Sequence, residues 1–530
     1  MSRKALYEKA SRRLSAERGS LVKDPGGRTR ICIVYPNSYS IGMSSLGFLS
    51  VHAMLNSRPD VFCERAFLPD RDDVAEHERT RTPVFSIETA RALQDFDIIA
   101  FSVSFENDFP NVLRVLELSG IPVRSERRGP RHPLVVMGGV CAFSNPEPMA
   151  EFMDIVFVGE AEGMLDEFLD SCVSLQDRDK VFIRASAIEG IYVPSLYEVE
   201  YASDGRIKGR KAMRGAPEMI RRRHAGDIWR RPASQLITTT EAEFSGMSLV
   251  EVQRGCPWSC RFCLAGKVFD PPRRKPLEAL VSEISGIRSD PGSLQRIGLI
   301  GPSLGDYPHL AEALSIEGVD FTITSLRASR ASADLVREMG GRKSVSIAPE
   351  AGSERLREHI NKKVSRSDIL EAAGMLLEGG VESLRLYFMV GLPTETDEDV
   401  DAIVELAAEI RALSRKGRIS LTLSTFVPKP FTDFEREQMA LPSVLKSRLR
   451  RVREGLRRTG GLSISHDPVR EALMQGVYSI GDRRLAGALE LFAATGGHAG
   501  AMREAGLDPA FYIHREKAQD ETLPWDFIER

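Results

Sequence analysis

The chain has 530 residues, 42% hydrophobic and 28% charged, with a formal net charge of −3. That length allows two or three domains with full cores, and the near-neutral balance excludes a protein that is basic all over while leaving room for local basic patches. No apolar run approaches the roughly 18 residues of a membrane-spanning helix, so no membrane insertion is expected. The opening residues MSRKALYEKASRRL lack an apolar signal core and read as a basic amphipathic helix within residues 1–28, docking or solvated and not a targeting signal. The seven cysteines are too few and too scattered for a disulfide framework. Cys32, Cys63, Cys141 and Cys172 lie singly in apolar surroundings as core residues, and a reducing cytoplasmic location is expected.

From residue 29 to 180 the runs ICIVYP, DIIAFSVSF, PLVVMGGV and DIVFVG alternate with FPNVLRVLELSG and GMLDEFLDSC, which carry helical spacing. Apolar strands alternating with helices predict a doubly wound α/β domain of flavodoxin or Rossmann type. Residues 181–245 are weaker: a hairpin with a DG turn in YEVEYASDGRIKGR, then the basic linker RRRHAGDIWRRP. Residues 246–440 return to α/β alternation, with strands predicted at LVEVQ, RIGLIG, DFTITS, SVSIAP, SLRLYFMVG and ISLTLSTFV, enough for a partial (β/α)6 barrel. Residues 441–530 read as a helical region, basic at first in VLKSRLRRVREGLRR.

RGCPWSCRFC places Cys256, Cys260 and Cys263 directly after the strand LVEVQ. Three thiolates on a 4Fe–4S cluster leave one iron open to a ligand. Zinc is the rival, but structural zinc needs a closed tetrahedral set and no second cysteine pair follows. A catalytic zinc stays open on spacing alone.

CxxxCxxC with Phe262 before the last cysteine resembles the signature of the radical S-adenosylmethionine (SAM) superfamily. The resemblance implies an oxygen-sensitive 4Fe–4S cluster, SAM cleaved to a 5′-deoxyadenosyl radical, and an external electron donor of flavodoxin or ferredoxin type. It implies SAM contacts at Gly301, Pro302 and Ser303 of GPSLGDYP, which departs from the family's GGE. It also implies a ribose contact at Glu350 of IAPEAGSER, an adenine contact at Gly391 of MVGLPTET, and a SAM carboxylate contact at Arg327. All fall at the carboxyl ends of predicted strands, where barrel enzymes build their sites.

A doubly wound domain before such a barrel resembles the cobalamin-binding domain of cobalamin-dependent radical SAM enzymes. Where proteins with a histidine cobalt ligand carry DxHxxG, this chain has Asn37, Tyr39 and Gly42; the spacing is kept and the ligand is gone. Ser102, Ser104, Gly138, Gly139, Gly159 and Glu160 are the other loop residues the resemblance places around the corrin. The stretches YPNSYSIGMSSLG, CERAFLP, GGVCAFSNPEP, EVQRGCPWSCRFC, FVPKPFTDF and GLDPAFYIHREKAQDETLPWD resemble a set of uncharacterised cobalamin-domain radical SAM proteins, with Asp433 where that set tends to proline.

The resemblance implies a cobalamin-dependent methyltransferase acting on an unactivated carbon. The alternatives are a methylthiotransferase-like modification of RNA or protein, for which the second cysteine triad is missing, and a cobalamin-free radical cyclase or rearrangement. A non-enzymatic redox or RNA-binding protein would have no use for an open iron. The substrate stays open between a small molecule and a macromolecule. For RNA, the runs Arg221–Arg223, Arg230–Arg231 and Arg273–Lys275 and the helix with Arg448, Arg450, Arg451, Arg457 and Arg458 can track phosphates. His466 and Tyr512 read as structural, and no general acid or base is nominated.

Overall fold

The computed structural model describes residues 3–172, 177–229, 237–289, 296–323, 325–329, 344–414, 416–495 and 497–529. Arg230–Arg231 and the Cys172 side chain lie outside what is described.

The first sheet contains β1 (Thr29–Tyr35), β2 (Val61–Phe67), β3 (Ile98–Ser102), β4 (Leu134–Gly138), β5 (Ile155–Phe157) and β6 (Ile191–Tyr192) in the order β2-β1-β3-β4-β5-β6. All neighbours are parallel except β5 and β6. The first five strands have the doubly wound order, with a switch point between β1 and β3. Adjacent residues of β1 that point to opposite faces, Cys32 and Ile33, are both buried, as expected of a sheet covered on both faces. The helix Phe109–Leu118 shows how the packing is encoded. Pro110 stands in its first turn, and Val112, Leu113, Val115 and Leu116 are wholly buried. Each such aliphatic side chain contributes about 1.5–3 kcal/mol of burial free energy. Strand β6 carries this sheet past residue 180, into the segment read from sequence as linker.

The predicted hairpin is present as β7 (Tyr197–Tyr201) against β8 (Ile207–Ala212). Strand β9 (Ile220–Arg221) follows it. The second α/β part opens with β10 (Ser248–Glu251), and β11 (Gln253–Arg254) pairs antiparallel with β12 (Arg273–Arg274). Next come β13 (Arg296–Ile300), β14 (Asp320–Thr322), β15 (Ser325–Leu326), β16 (Ser344–Glu350), β17 (Ser383–Val390) and β18 (Arg418–Thr425). They form two parallel sheets, β10-β13-β14 and β15-β16-β17-β18-β19, where β19 is Leu462–His466. All six strands predicted here are present; DFTITS is divided between β14 and β15. The carboxyl-terminal region is not purely helical, because β19 joins β18 in parallel. Gly460 and Gly461, both at positive φ, end the helix Pro442–Thr459 and turn the chain into it.

The amino-terminal helix Arg3–Ala16 docks: Lys9 pairs with Asp70 and Asp73 at 2.6 Å, and Arg13 with Asp70 at 2.9 Å. The chain's last strand, β20 (Ile528–Glu529), lies parallel to β9. The carboxyl-terminal helices share the core of the first sheet. No described helix is long and apolar enough to cross a membrane.

Candidate functional site

The three clustered cysteines lie on one closed loop. Because Arg254 and Arg273 are register partners across β11 and β12, residues 255–272 leave the sheet and return to it at the same place. Gly255 makes the exit at φ +79, with an added Cβ only 2.2 Å from the Phe269 carbonyl oxygen, so a side chain there would collide with backbone. Loops at the ends of three other strands hold this one. Trp258 Nε1 donates to Asp306 at 2.5 Å, Asn361 Nδ2 to the Ser259 carbonyl at 2.7 Å, and Lys267 Nζ to Asp433 at 2.9 Å.

Cys260 is buried, and Cys256 and Cys263 are half-buried. Burial, reinforced by Cys263, raises the Cys256 thiol; burial pushes Cys260 up to about 11, with Cys263 and Glu350 adding to it against Lys362 and Arg327. Thiols in such a place ionise when a metal centre supplies the compensating charge, and three of them fit the cluster read from the motif. Among the described residues no three His, Cys, Asp or Glu side chains gather about one point as a single ion requires.

Around the loop stand the expected SAM residues. Phe262 packs beside the small apolar cluster of Ala351, Leu392, Phe426 and Phe434, from the ends of β16, β17 and β18. Glu350 occupies left-handed backbone at φ +68, where the β16–β17 register shifts, and its carboxylate meets Lys362 at 3.0 Å. A non-glycine residue held so is strained, and strain of this kind collects at functional sites. Gly301 and Pro302 line the large cavity described below. Three positions differ from expectation. Ser303 is buried and gives its hydroxyl hydrogen to Asp306. Arg327 lies 3.7 Å over the Trp258 ring and donates to the Lys362 and Lys363 carbonyls, both at 2.6 Å. The Gly391 N–H is taken by Glu395 at 2.7 Å. Trp258 and Asp306, which join the cysteine loop to the loop after β13, went unnoticed in the sequence although both stand inside quoted motifs.

A cavity of about 470 Å³ opens between the two α/β parts. One end is the apolar space between the first sheet and its helices, lined by Ile33, Val51, Met54, Ala100, Leu165 and Phe168 among others. The other end meets Gln253, Arg254, Gly255 and Gly301, next to the cysteine loop. Six residues expected around a corrin line it: Ser102, Ser104, Gly138, Gly139, Gly159 and Glu160. Gly139 is at φ +99 with an added Cβ 2.5 Å from the Val103 oxygen, which obliges glycine at the strand edge.

Asn37, Tyr39 and Gly42 lie away from this cavity. Asn37 Nδ2 donates to Asp108 at 2.7 Å, and Tyr39 is buried with its hydroxyl on Glu17 at 2.7 Å and Arg13 over its ring at 4.7 Å. An added Cβ on Gly42 would sit 2.5 Å from the Phe67 ring. Of the three, Tyr39 seats the amino-terminal segment, through Arg13 and Glu17. Glu160 differs in another way: both carboxylate oxygens are occupied, by Arg273 at 2.6 and 2.7 Å and by the Ala225 N–H at 2.7 Å. Burial works to raise its pKa, and the Arg273 hydrogen bonds with the Arg254 charge bring it below the usual range.

The basic runs are largely paired. Arg223 meets Glu167 at 2.6 Å, Arg448 meets Glu395 at 2.7 Å, Arg451 bridges Asp397 and Asp401, and Lys275 is buried on Glu283. Tyr512 is buried and His466 contacts Arg453, consistent with structural roles.

Residues 250–407 match the family model described as the radical SAM superfamily, and residues 47–194 the one described as radical SAM proteins, N-terminal. An uncharacterized protein of Methanocaldococcus jannaschii is 32% identical over 459 residues, 86% of this chain and 89% of that one. An uncharacterized methyltransferase of Pyrococcus horikoshii is 24% identical over 289 residues, 52% of this chain and 58% of that one. Among solved structures, the cobalamin-dependent SAM radical enzyme OxsB with aqua-cobalamin and SAM bound is 14% identical at a TM-score of 0.47, covering 72% of this chain and 52% of that one. A likeness of that depth says nothing of ligand or reaction. The chain belongs to the radical SAM superfamily of enzymes.

Proposed function

We propose that this chain holds a 4Fe–4S cluster on Cys256, Cys260 and Cys263, binds SAM across the ends of β13 to β17, and binds cobalamin in the cavity between its two α/β parts as a methyltransferase acting on an unactivated carbon. The observation that carries the reading is the continuity of that cavity. It runs from an apolar space within the first sheet's helices, past the glycine edges at Gly138–Gly139 and Gly159, to the wall of the cysteine loop. A large ligand that combines an aromatic base with a ring rimmed by polar groups suits such a space, and glycines let backbone approach it closely. The cluster would supply the electron for SAM cleavage and a corrin would carry the methyl group.

The chain's own residues orient and enclose. Gly301 and Pro302 bring the loop after β13 to the cavity, the Glu350 carboxylate offers acceptors for ribose hydroxyls, and Phe262 shields one side with apolar surface. Cys32, Cys63 and Cys141 stand singly on β1, β2 and the segment after β4, without the close spacing of Cys256, Cys260 and Cys263, which disfavours a second cluster of methylthiotransferase type. The test is the ultraviolet–visible spectrum and iron analysis of protein purified anaerobically and incubated with SAM and hydroxocobalamin. Retained iron, 5′-deoxyadenosine on reduction and a corrin spectrum after gel filtration are expected. SAM cleavage with no corrin retained overturns the methyl-transfer reading and leaves the cyclase or rearrangement reading.

A further inference from the structure

We infer that Glu160 of the amino-terminal domain is the clasp that closes the cysteine loop, a positioning residue for the cluster. Arg254 and Arg273 face each other as register partners at the neck of that loop, where two guanidinium groups repel. Both are largely buried, with side chains 13% and 14% exposed. Glu160 stands between them, taking both terminal nitrogens of Arg273 at 2.6 and 2.7 Å and lying 3.3 Å from Arg254. Among the described residues it is the carboxylate that pairs with both arginines; Glu162 and Glu251 reach Arg254 alone, at 2.9 and 2.8 Å.

Its own placement is imposed from behind. Gly159 takes φ +133 with an added Cβ 2.3 Å from the Arg223 oxygen, and the Glu160 N–H donates to that same oxygen at 2.9 Å. The first domain therefore presents a fixed anion to the neck of the second domain's loop, two residues from Cys256. Removing one partner of a buried ion pair leaves the other charge uncompensated. Without Glu160, Arg254 keeps Glu162 and Glu251 while Arg273 is left as a buried cation facing Arg254 across the neck, which loosens the closure of the loop.

The inference rests on the cluster reading and is independent of cobalamin. Wild type, Glu160→Gln, Glu162→Gln and Glu160→Gln with Arg273→Gln are reconstituted anaerobically, and iron, sulfide, far-ultraviolet circular dichroism and the rate of bleaching in air are measured. Glu160→Gln should keep its circular dichroism, lose iron on gel filtration and bleach roughly tenfold faster. Glu162→Gln should hold iron as wild type does. The double variant, which removes one of the two opposed charges, should recover most of the lost iron and the slower bleaching. Should Glu160→Gln fail to fold, the comparison of the double variant with Glu162→Gln decides alone, a double variant that folds but holds no iron refuting the clasp. Wild-type iron in Glu160→Gln, or equal loss in Glu162→Gln, overturns the inference. Reduced hydroxocobalamin retention with iron intact overturns it too, returning Glu160 to the cofactor. A wild type that takes up no iron marks failure of the cluster reading instead.

Discussion

Tyr39 donates its hydroxyl hydrogen to Glu17 Oε1 across 2.7 Å, and Glu17 also holds the buried Arg65 at 2.6 Å. The loop that carries a cobalt-binding histidine in other proteins is thereby used here to seat the amino-terminal helix. Burial, with the Glu17 charge adding to it, raises the Tyr39 pKa, so the phenol stays neutral at ordinary pH. If cobalamin is bound, cobalt(II) paramagnetic resonance with cobinamide, which lacks its own base, should show no axial nitrogen splitting. Splitting that vanishes in Asn37→Ala would refute this.

Replacing Cys256, Cys260 and Cys263 together with alanine should remove bound iron and reductive SAM cleavage while the chain remains folded, since each is a proposed iron ligand. Cys141→Ala should do neither, because Cys141 is a core side chain 2% exposed. Iron analysis and 5′-deoxyadenosine release under dithionite check both.

Glu350→Gln should weaken SAM binding by about 1–3 kcal/mol, the worth of hydrogen bonds to a charged acceptor. Iron content should not change. Lys362 loses its ion-pair partner in the variant, so Lys362→Gln serves as the control and should change SAM affinity less. Equilibrium binding to the oxidised protein is the measurement; an unchanged dissociation constant would return Glu350 to a purely backbone role.

Gly138→Leu should block the cavity. An ideal Cβ at Gly138 has its nearest neighbour at 3.9 Å, the Phe157 Cβ, so the first carbon fits and the rest of the side chain projects into the lining. Hydroxocobalamin retention should fall more than about tenfold, ~1.4 kcal/mol, with iron and SAM cleavage kept.

Asp108 should make stability pH-dependent. It is buried and accepts from the uncharged amides of Asn37 and Asn111 at 2.7 and 3.1 Å. Burial, opposed by those two hydrogen bonds, raises its pKa from 3.8 to about 6. A carboxyl raised on folding binds its proton more tightly in the native state. Its contribution is therefore present below its unfolded pKa and is lost as pH rises towards 6. The full shift corresponds to about 3 kcal/mol. Thermal scans between pH 4 and 6 should show less loss of Tm with rising pH in Asp108→Asn than in wild type; identical slopes would contradict the assignment.

The cysteine loop, the six strands of the second α/β part and four of the first five strands of the doubly wound sheet were legible in the chain; β2, whose VFCERAF carries charges in its middle, was not read as a strand. The legible signals are local: ligand spacing inside ten residues, and apolar runs bounded by turns. Helix ends carry local signals too, as Pro110 and the capping box of Thr396 and Asp399 show, although no expectation from the sequence drew on them. Strand β19 was not legible, because LSISH is short and half-exposed and becomes a strand only by pairing with β18. Side-chain partners were least legible. The family resemblance put Asn37, Tyr39 and Glu160 beside a ligand, and could not show that Asp108, Glu17 and the pair Arg254–Arg273 would claim their hydrogen-bonding groups first. The sequence by itself determined most of the elements and the spacing of the three clustered cysteines, which depend on neighbours along the chain. Only the tertiary structure decided which buried polar group satisfies which, because a buried charge takes whatever partner packing brings within about 3 Å, and here those partners lie 22, 71 and 113 residues away.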